Sequence, residues 1–136
     1  MIVSCDGASR GNPGPAGAGA QITDDDGIVL AEIAEGLGEA TNNVAEYTAV
    51  IRGLERAREL GATDVLLRSD SQLLINQLNG RYRVKSPNLL PLHQRVRELA
   101  ASFVSIEFEH VRRERNVEAD RLANAGVEAW LAGPDA

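Results

Sequence analysis

Apolar and polar residues alternate from the first position, with Met1, Val3 and Cys5 on one side and Ile2, Ser4 and Asp6 on the other. That two-residue period predicts a strand. It breaks at Gly7, ahead of the turn cluster Gly11-Asn12-Pro13-Gly14-Pro15. Small residues from Ala16 to Thr23 predict a second strand, and Asp26-Gly27 a hairpin returning as a third strand over Ile28 to Glu35. The run Asp24-Asp25-Asp26-Gly27 lacks the alternating ligands and closing glutamate of a calcium loop, so it reads as a turn. From about Asn43 to Leu60 the spacing changes to threes and fours. Val44, Tyr47, Ile51, Leu54 and Ala57 then form one face of a long helix that Gly61 ends.

Asp64 to Asp70 reads as a short strand around Val65-Leu66-Leu67, Ser71 to Leu78 as a short helix, and Gly80 to Asn88 as a basic loop. A helix over about Leu89 to Ala101 tolerates Pro91 in its first turn. Val104, Ile106, Phe108 and His110 alternate with Ser105, Glu107 and Glu109 in a fifth strand, which places His110 on an apolar face. A last helix covers about Asn116 to Leu131. The order βββαβααβα is a hairpin meander followed by strands joined through helices. It predicts an α/β fold with a mixed sheet covered by helices. With no internal repeat or linker, the expectation is one domain over residues 1–132, with 133–136 as a tail or the start of a linker.

Composition narrows the class. The 136 residues are 43% hydrophobic and 25% charged, the profile of a globular chain rather than a disordered one. No uncharged apolar run approaches the ~18 residues of a membrane span, and no basic patch followed by an apolar stretch at the N-terminus suggests a secretory signal. Cys5 is the only cysteine, which excludes an internal disulfide and a cysteine-based zinc cluster and points to a reducing cytoplasm. The net charge of −6 argues against a generic nucleic-acid coat. Yet Arg81, Arg83, Lys85, Arg95 and Arg97 face only Glu98 within their segment. A basic stripe on an acidic body suits a polyanion held beside carboxylates and cations, though a solvated helix face has the same composition.

Four acids stand at informative places: Asp6 at the end of the first strand, Glu46 opening the long helix, Asp70 ending the fourth strand, and Asp120 in the first turns of the last helix. In an open α/β sheet, sites form beyond the carboxyl ends of neighbouring parallel strands. Four clustered carboxylates repel one another and raise each other's pKa, a conflict that hard divalent cations remove. Two Mg²⁺ ions would match their charge, and paired metals support phosphodiester hydrolysis. Each acid also has a plain structural role open to it: Asp6-Gly7 as a turn, Asn43 and Glu46 as a capping box, Asp70 as a cap for the helix at Ser71, and Asp120 as a complement to the helix dipole. No phosphate-binding GxxxxGK[ST] loop and no GxSxG nucleophile elbow occurs.

Four segments, in order, carry a family resemblance: Asp6-Gly7-Ala8-Ser9-Arg10-Gly11-Asn12-Pro13-Gly14, Thr41-Asn42-Asn43-Val44-Ala45-Glu46, Ser69-Asp70-Ser71-Gln72, and Asn116-Val117-Glu118-Ala119-Asp120-Arg121-Leu122-Ala123. Together they resemble type 1 ribonuclease H, the endonuclease that cuts RNA paired with DNA, in its shorter archaeal and actinobacterial form. The resemblance implies a ribonuclease H-like fold, a five-stranded mixed sheet of order 3-2-1-4-5 flanked by helices. It implies that Asp6, Glu46, Asp70 and Asp120 are catalytic and hold two Mg²⁺ ions, with Mn²⁺ as a substitute, so that an activated water cuts the RNA strand to leave a 5′-phosphate and a 3′-hydroxyl. The partner it implies is an RNA/DNA hybrid, with no membrane; the tail Gly133-Pro134-Asp135-Ala136 would serve either as a terminus or as a linker to a fused C-terminal domain. Asn12, Asn42, Asn43 and Gln72 match positions that contact the hybrid, where amides can read the 2′-hydroxyl. Thr41 matches a position that holds a DNA-strand phosphate.

Three departures from the family pattern bear on mechanism. The loop before the last aspartate, Arg112-Arg113-Glu114-Arg115-Asn116, has no histidine; Arg113 or Arg115 is the candidate auxiliary, although an arginine cannot shuttle protons near neutrality. The basic protrusion of better-known members is reduced to a short loop with Arg81, Arg83 and Lys85. Glu39 stands where some relatives carry a phosphate-binding arginine. Beside the hydrolase, the same fold could act on duplex RNA, serve as a hybrid- or duplex-RNA-binding module with weak or no hydrolysis, or be a structural domain with incidental acids.

Overall fold

In the computed structural model, which describes residues 1–133, the N-terminal alternation becomes β1 (Ile2–Ser9), with Val3 and Cys5 fully buried. It is followed by β2 (Gly14–Thr23), β3 (Val29–Ala40), α1 (Asn42–Glu59), β4 (Asp64–Ser69), α2 (Gln72–Leu78), α3 (Leu90–Ala100), β5 (Ser105–His110) and α4 (Val117–Ala132), in the order the patterning predicts. The sheet order is β3-β2-β1-β4-β5, so β1 is the middle strand. It pairs antiparallel with β2 and parallel with β4, and β5 adds parallel to β4. The fold is the expected ribonuclease H-like one. The tail expected over 133–136 lies outside the described residues from 134 onward.

The core lies between the sheet and α1, where Val3, Cys5, Ala20, Ile22 and Leu67 meet Tyr47, Val50 and Leu54, with Val96 and Leu99 of α3 completing it. The buried face of α1 is wider than the apolar spacing suggests. Ala45, Ala49, Val50 and Gly53 are buried as well, because small residues let the helix lie close on the strands. The other face of the sheet is covered by α4 through Ala119, Leu122, Ala123 and Val127. A Cβ added to Gly19 of β2 would stand 2.3 Å from the Ala123 nitrogen. Backbone therefore packs directly on backbone there.

Two boundaries and the burial of one strand differ from expectation for identifiable reasons. β1 runs past Gly7 to Ser9 because β2 continues to pair with it, Ser9 opposite Ala16. β3 runs to Ala40 instead of ending near Glu35, and a register shift between Ala16 and Gly17 absorbs its extra residue. On β5 only Ile106 and Phe108 pack against the core; Val104 is 83% exposed and His110 is exposed too. β5 is an edge strand, and its ends lack covering elements. The Asp24–Ile28 turn is closed by the Asp24 carboxylate, which accepts from the Asp26 and Ile28 amides at 2.9 Å.

Gly19→Ala is expected to lower unfolding free energy by about 3 kcal/mol, because helix and sheet must part. Gly27→Ala, in open space but at φ +82°, should cost only about 1–2 kcal/mol. Denaturant titration of both variants checks the order.

Candidate active site

Two of the four acids are brought together by strand register. Parallel pairing of β1 with β4 ends at Cys5 opposite Ser69, so Asp6 and Asp70 are the next residues on neighbouring strands. Asp6 does not end its strand, as the sequence pattern suggested. It sits where β4 stops and β1 continues, 8% exposed, opposite Gly19 and on the side of the sheet that α4 covers.

Glu46 arrives by close approach. A Cβ on Gly7 would lie 2.3 Å from the Glu46 nitrogen, so the first turns of α1 abut β1 directly after Asp6. Asp120 comes from α4, within hydrogen-bonding reach of Asp6. The capping roles open to these acids are filled by other residues. The Thr41 hydroxyl accepts from the Val44 amide at 3.2 Å and the Ser71 hydroxyl from the Leu74 amide at 3.2 Å. Asn43 and Glu46 therefore form no capping box, and Asp70 is not the cap of α2.

The four carboxylates line an open cleft of about 470 Å³ together with Asn42, Ser71, Arg113 and Asn124. Burial raises Asp6 from an ordinary 3.8 to about 8, and the charges of Asp70, Asp120 and Glu46 push the same way. Glu46 rises to about 6, mainly through burial, with the Ser71 hydroxyl opposing and the Asp70 charge adding. Asp70 is raised by burial, drawn back by the Arg113 guanidinium and, less strongly, by His110, and pushed up by Asp120.

Among the described residues no three histidine, cysteine or acidic side chains are arranged to enclose one ion. The quartet is not a cage; Asp6 stands between three neighbours in a cleft open to solvent. All-oxygen donors of that kind fit a small hard cation such as Mg²⁺, which takes one or two carboxylates and completes its shell with water and phosphate oxygens.

The other candidate residues spread outward from the cleft. Asn42 lines it, and its amide donates to Asn12 Oδ1 at 3.1 Å, which ties the β1–β2 turn to the start of α1. Asn43 and Gln72 are exposed in the first turns of α1 and α2. Arg81, Arg83 and Lys85 are exposed in the loop after α2 and, among the described residues, have no acidic partner, whereas Arg95 is paired with Glu55 and Glu98. Arg113, on a 3-10 turn (Arg113–Arg115), faces the cleft; Arg115 lines a separate groove with Glu109, His110 and Arg112. His110 is not packed on an apolar face. It stands exposed at the end of β5, opposite Ser69, with its charge felt at Asp70.

Sequence reasoning gave no site role to three residues. Ser71 carried a signal, a hydroxyl three residues before Leu74 at a helix start. Asn124 stands one helical turn after Asp120, and its Nδ2 donates to the Asp120 carbonyl at 3.0 Å. Asn116, 2% exposed, donates from Nδ2 to the Cys5 carbonyl at 2.9 Å, a contact across 111 residues that no local pattern announces.

Comparison with known proteins gives the same outline. Residues 4–126 match the family described as reverse transcriptase-like. The chain is 49% identical over 130 residues to a bifunctional protein of Mycobacterium tuberculosis, a match covering 95% of this chain and 36% of that protein. It is 46% identical over 123 residues to the ribonuclease HI of Halobacterium salinarum, covering 90% of this chain and 62% of that protein. The N-terminal RNase H domain of the mycobacterial protein, solved as a fusion with maltose-binding protein, superposes with a TM-score of 0.90 at 49% identity, over 93% of this chain and 97% of that one. A ribonuclease H1 from compost, LC11, solved in complex with an RNA/DNA hybrid, superposes with a TM-score of 0.91 at 41% identity, over 96% of this chain and 98% of that one. The chain thus spans 36% of the length of the mycobacterial proteins it matches.

The raised carboxylates set a pH dependence with a definite sign. Folded Asp6 binds its proton more tightly than the unfolded chain does, so its contribution to stability is full below about pH 4 and lost as pH rises through about 8. Glu46, at about 6 against an ordinary 4.5, acts in the same direction. Metal-free protein should therefore melt several degrees lower at about pH 8.5 than at about pH 6, and Asp6→Asn should flatten that slope. Calorimetry in a chelating buffer checks both.

Proposed function

The chain belongs to the type 1 ribonuclease H family, and we propose that it is a divalent-cation-dependent endoribonuclease that hydrolyses the RNA strand of RNA/DNA hybrids. Water attacks a phosphodiester, the P–O3′ bond breaks, and 5′-phosphate and 3′-hydroxyl ends result. The observation that carries this reading is the position of Asp6, with Asp120, Asp70 and Glu46 around it in an open cleft. A pure binding module gains nothing from four carboxylates facing phosphates, since their charge opposes the ligand. Two Mg²⁺ or Mn²⁺ ions, when bound by Asp6, Glu46, Asp70 and Asp120, supply the charge that activates water and offsets the leaving oxygen.

The chain's own side chains account for orientation and strand choice. Asn12 Oδ1 is engaged by the Asn42 amide, which leaves its Nδ2 as a donor for substrate. The side-chain amides of Asn42, Asn43 and Gln72, each both donor and acceptor, suit the 2′-hydroxyls of a shallow minor groove. The Thr41 hydroxyl accepts from Val44 and keeps its own proton to donate to a DNA-strand phosphate. Arg81, Arg83 and Lys85 meet the backbone as a reduced basic grip, and Glu39, exposed on β3, weakens the DNA-strand pocket. Arg113 stabilises the ionised form of Asp70 and lies where it can hold a phosphate oxygen. Arg115 is the more remote auxiliary.

The proposal extends to setting. Among the described residues no helix is long and apolar enough to cross a membrane, and the lone thiol of Cys5 is buried; both fit a reducing cytoplasm. The proposal includes a single domain over residues 1–132 that works with a further domain C-terminal to it, a reading that the 36% coverage of the mycobacterial protein and the N-terminal place of its RNase H domain favour.

With labelled RNA/DNA hybrid and Mg²⁺ or Mn²⁺, the expected result is cutting confined to the RNA strand, with duplex RNA and duplex DNA left intact. Asp70→Asn should reduce the rate by about 10²-fold or more. Hybrid that is bound but uncut under both cations would move the assignment to a binding module.

A further inference from the structure

Asn116 occupies the N-cap position of α4, where an asparagine ordinarily accepts a hydrogen bond from the first turn. Its side chain makes no such bond. It turns inward, 2% exposed, and donates from Nδ2 to the Cys5 carbonyl at 2.9 Å. Cys5 is the last residue of β1 paired with β4 and directly precedes Asp6. The backbone of Asn116 works in two other directions: its carbonyl accepts from the Asp120 amide at 3.1 Å, and its amide donates to the Arg113 carbonyl at 3.0 Å. One residue therefore joins the strand carrying Asp6, the helix carrying Asp120 and the turn carrying Arg113.

The other side-chain atom is informative too. Asn116 Oδ1 is buried without a hydrogen-bond partner in the protein. A buried carbonyl left unpaired is unfavourable, and a serine in its place would cap the helix without that burden. Stability of α4 therefore does not explain an asparagine in this orientation, whereas the link to Cys5 does. Elsewhere α4 is placed by packing over Gly17 and Gly19. Such packing sets how near the helix lies to the sheet, while the Asn116 link ties the start of the helix to the strand that carries Asp6.

We propose that Asn116 is a positioning residue that sets the spacing of Asp6 and Asp120 by pinning the start of α4 to the carbonyl before Asp6. This rests on the hydrolase reading above, since it deepens the same site. Asn116→Ser restores a capping hydroxyl and removes the link, because the shorter side chain does not reach Cys5. Asn116→Ala removes both. Val127→Ala, buried on α4 away from the cleft, gives a comparison in which packing alone is lost.

Melting temperature, Mn²⁺ binding by calorimetry without substrate, and kcat and KM on hybrid are measured for all four proteins. Asn116→Ser should melt no lower than Val127→Ala, yet bind Mn²⁺ at least about tenfold more weakly and lose at least about tenfold in kcat, with KM for hybrid within about twofold. If Asn116→Ala does not fold, Asn116→Ser alone carries the test. Mn²⁺ binding and kcat in Asn116→Ser equal to those of Val127→Ala would overturn the proposal and leave the hydrolase reading standing. A wild-type protein that neither binds Mn²⁺ nor cuts hybrid would overturn both.

Discussion

Asp6 is held on the middle strand of the sheet, largely out of water, with three further carboxylates around it, and that burial together with their repulsion is the constraint on which the remaining arrangement depends. Each of the four acids comes from a different element: β1, the start of α1, the residue after β4, and the first turns of α4. No local contact could assemble them. They meet because β4 stops pairing with β1 one residue before Asp6, and because two glycines let helices come within backbone distance of the strands, Gly7 under α1 and Gly19 under α4. The core on both faces of the sheet supplies the stability that the site works against.

Charge follows the same division. Among the described residues, six of the thirteen arginines are tied into surface ion pairs, including Arg10 with Glu128, Arg52 with Glu35 and Glu55, and Arg121 with Glu32 and Glu118. Among the described residues, apart from Arg58 on α1 and Arg97 on α3, the side-chain cations with no such partner are Arg81, Arg83, Lys85, Arg112, Arg113 and Arg115. They cluster in the two loops after α2 and after β5. An acidic chain thereby offers unpaired cations in two loops, of which Arg113 lines the carboxylate cleft, a pattern suited to a polyanion that must approach negative charge.

The sequence made the element order and the four acids legible because both rest on short-range patterns: period-two strands, the three-and-four spacing of α1, and acids at element ends. The Asp6-Gly7 break shows the limit of that reasoning. A glycine after an acid looks like a turn, yet Gly7 remains in β1, and its missing side chain serves a helix distant in sequence. His110 was misjudged for a similar reason, since alternation marks which side of a strand a residue faces and not whether anything covers it. Thr41 and Ser71 capped the helices in place of the acids, which chain order alone did not decide. Asn116 was least legible of all, because its partner is a backbone carbonyl at the other end of the chain.

The central claim is that the folded chain holds four mutually repelling carboxylates in an arrangement that a divalent cation relieves. The most direct test is the melting temperature near neutral to mildly alkaline pH, with and without millimolar Mg²⁺, for wild type and Asp6→Asn. A cation that binds the folded state alone raises its stability by mass action. The account predicts a clear rise for the wild type and little or none for Asp6→Asn, whose metal-free form is expected to melt higher at that pH. An equal response of the two proteins to Mg²⁺ would contradict it.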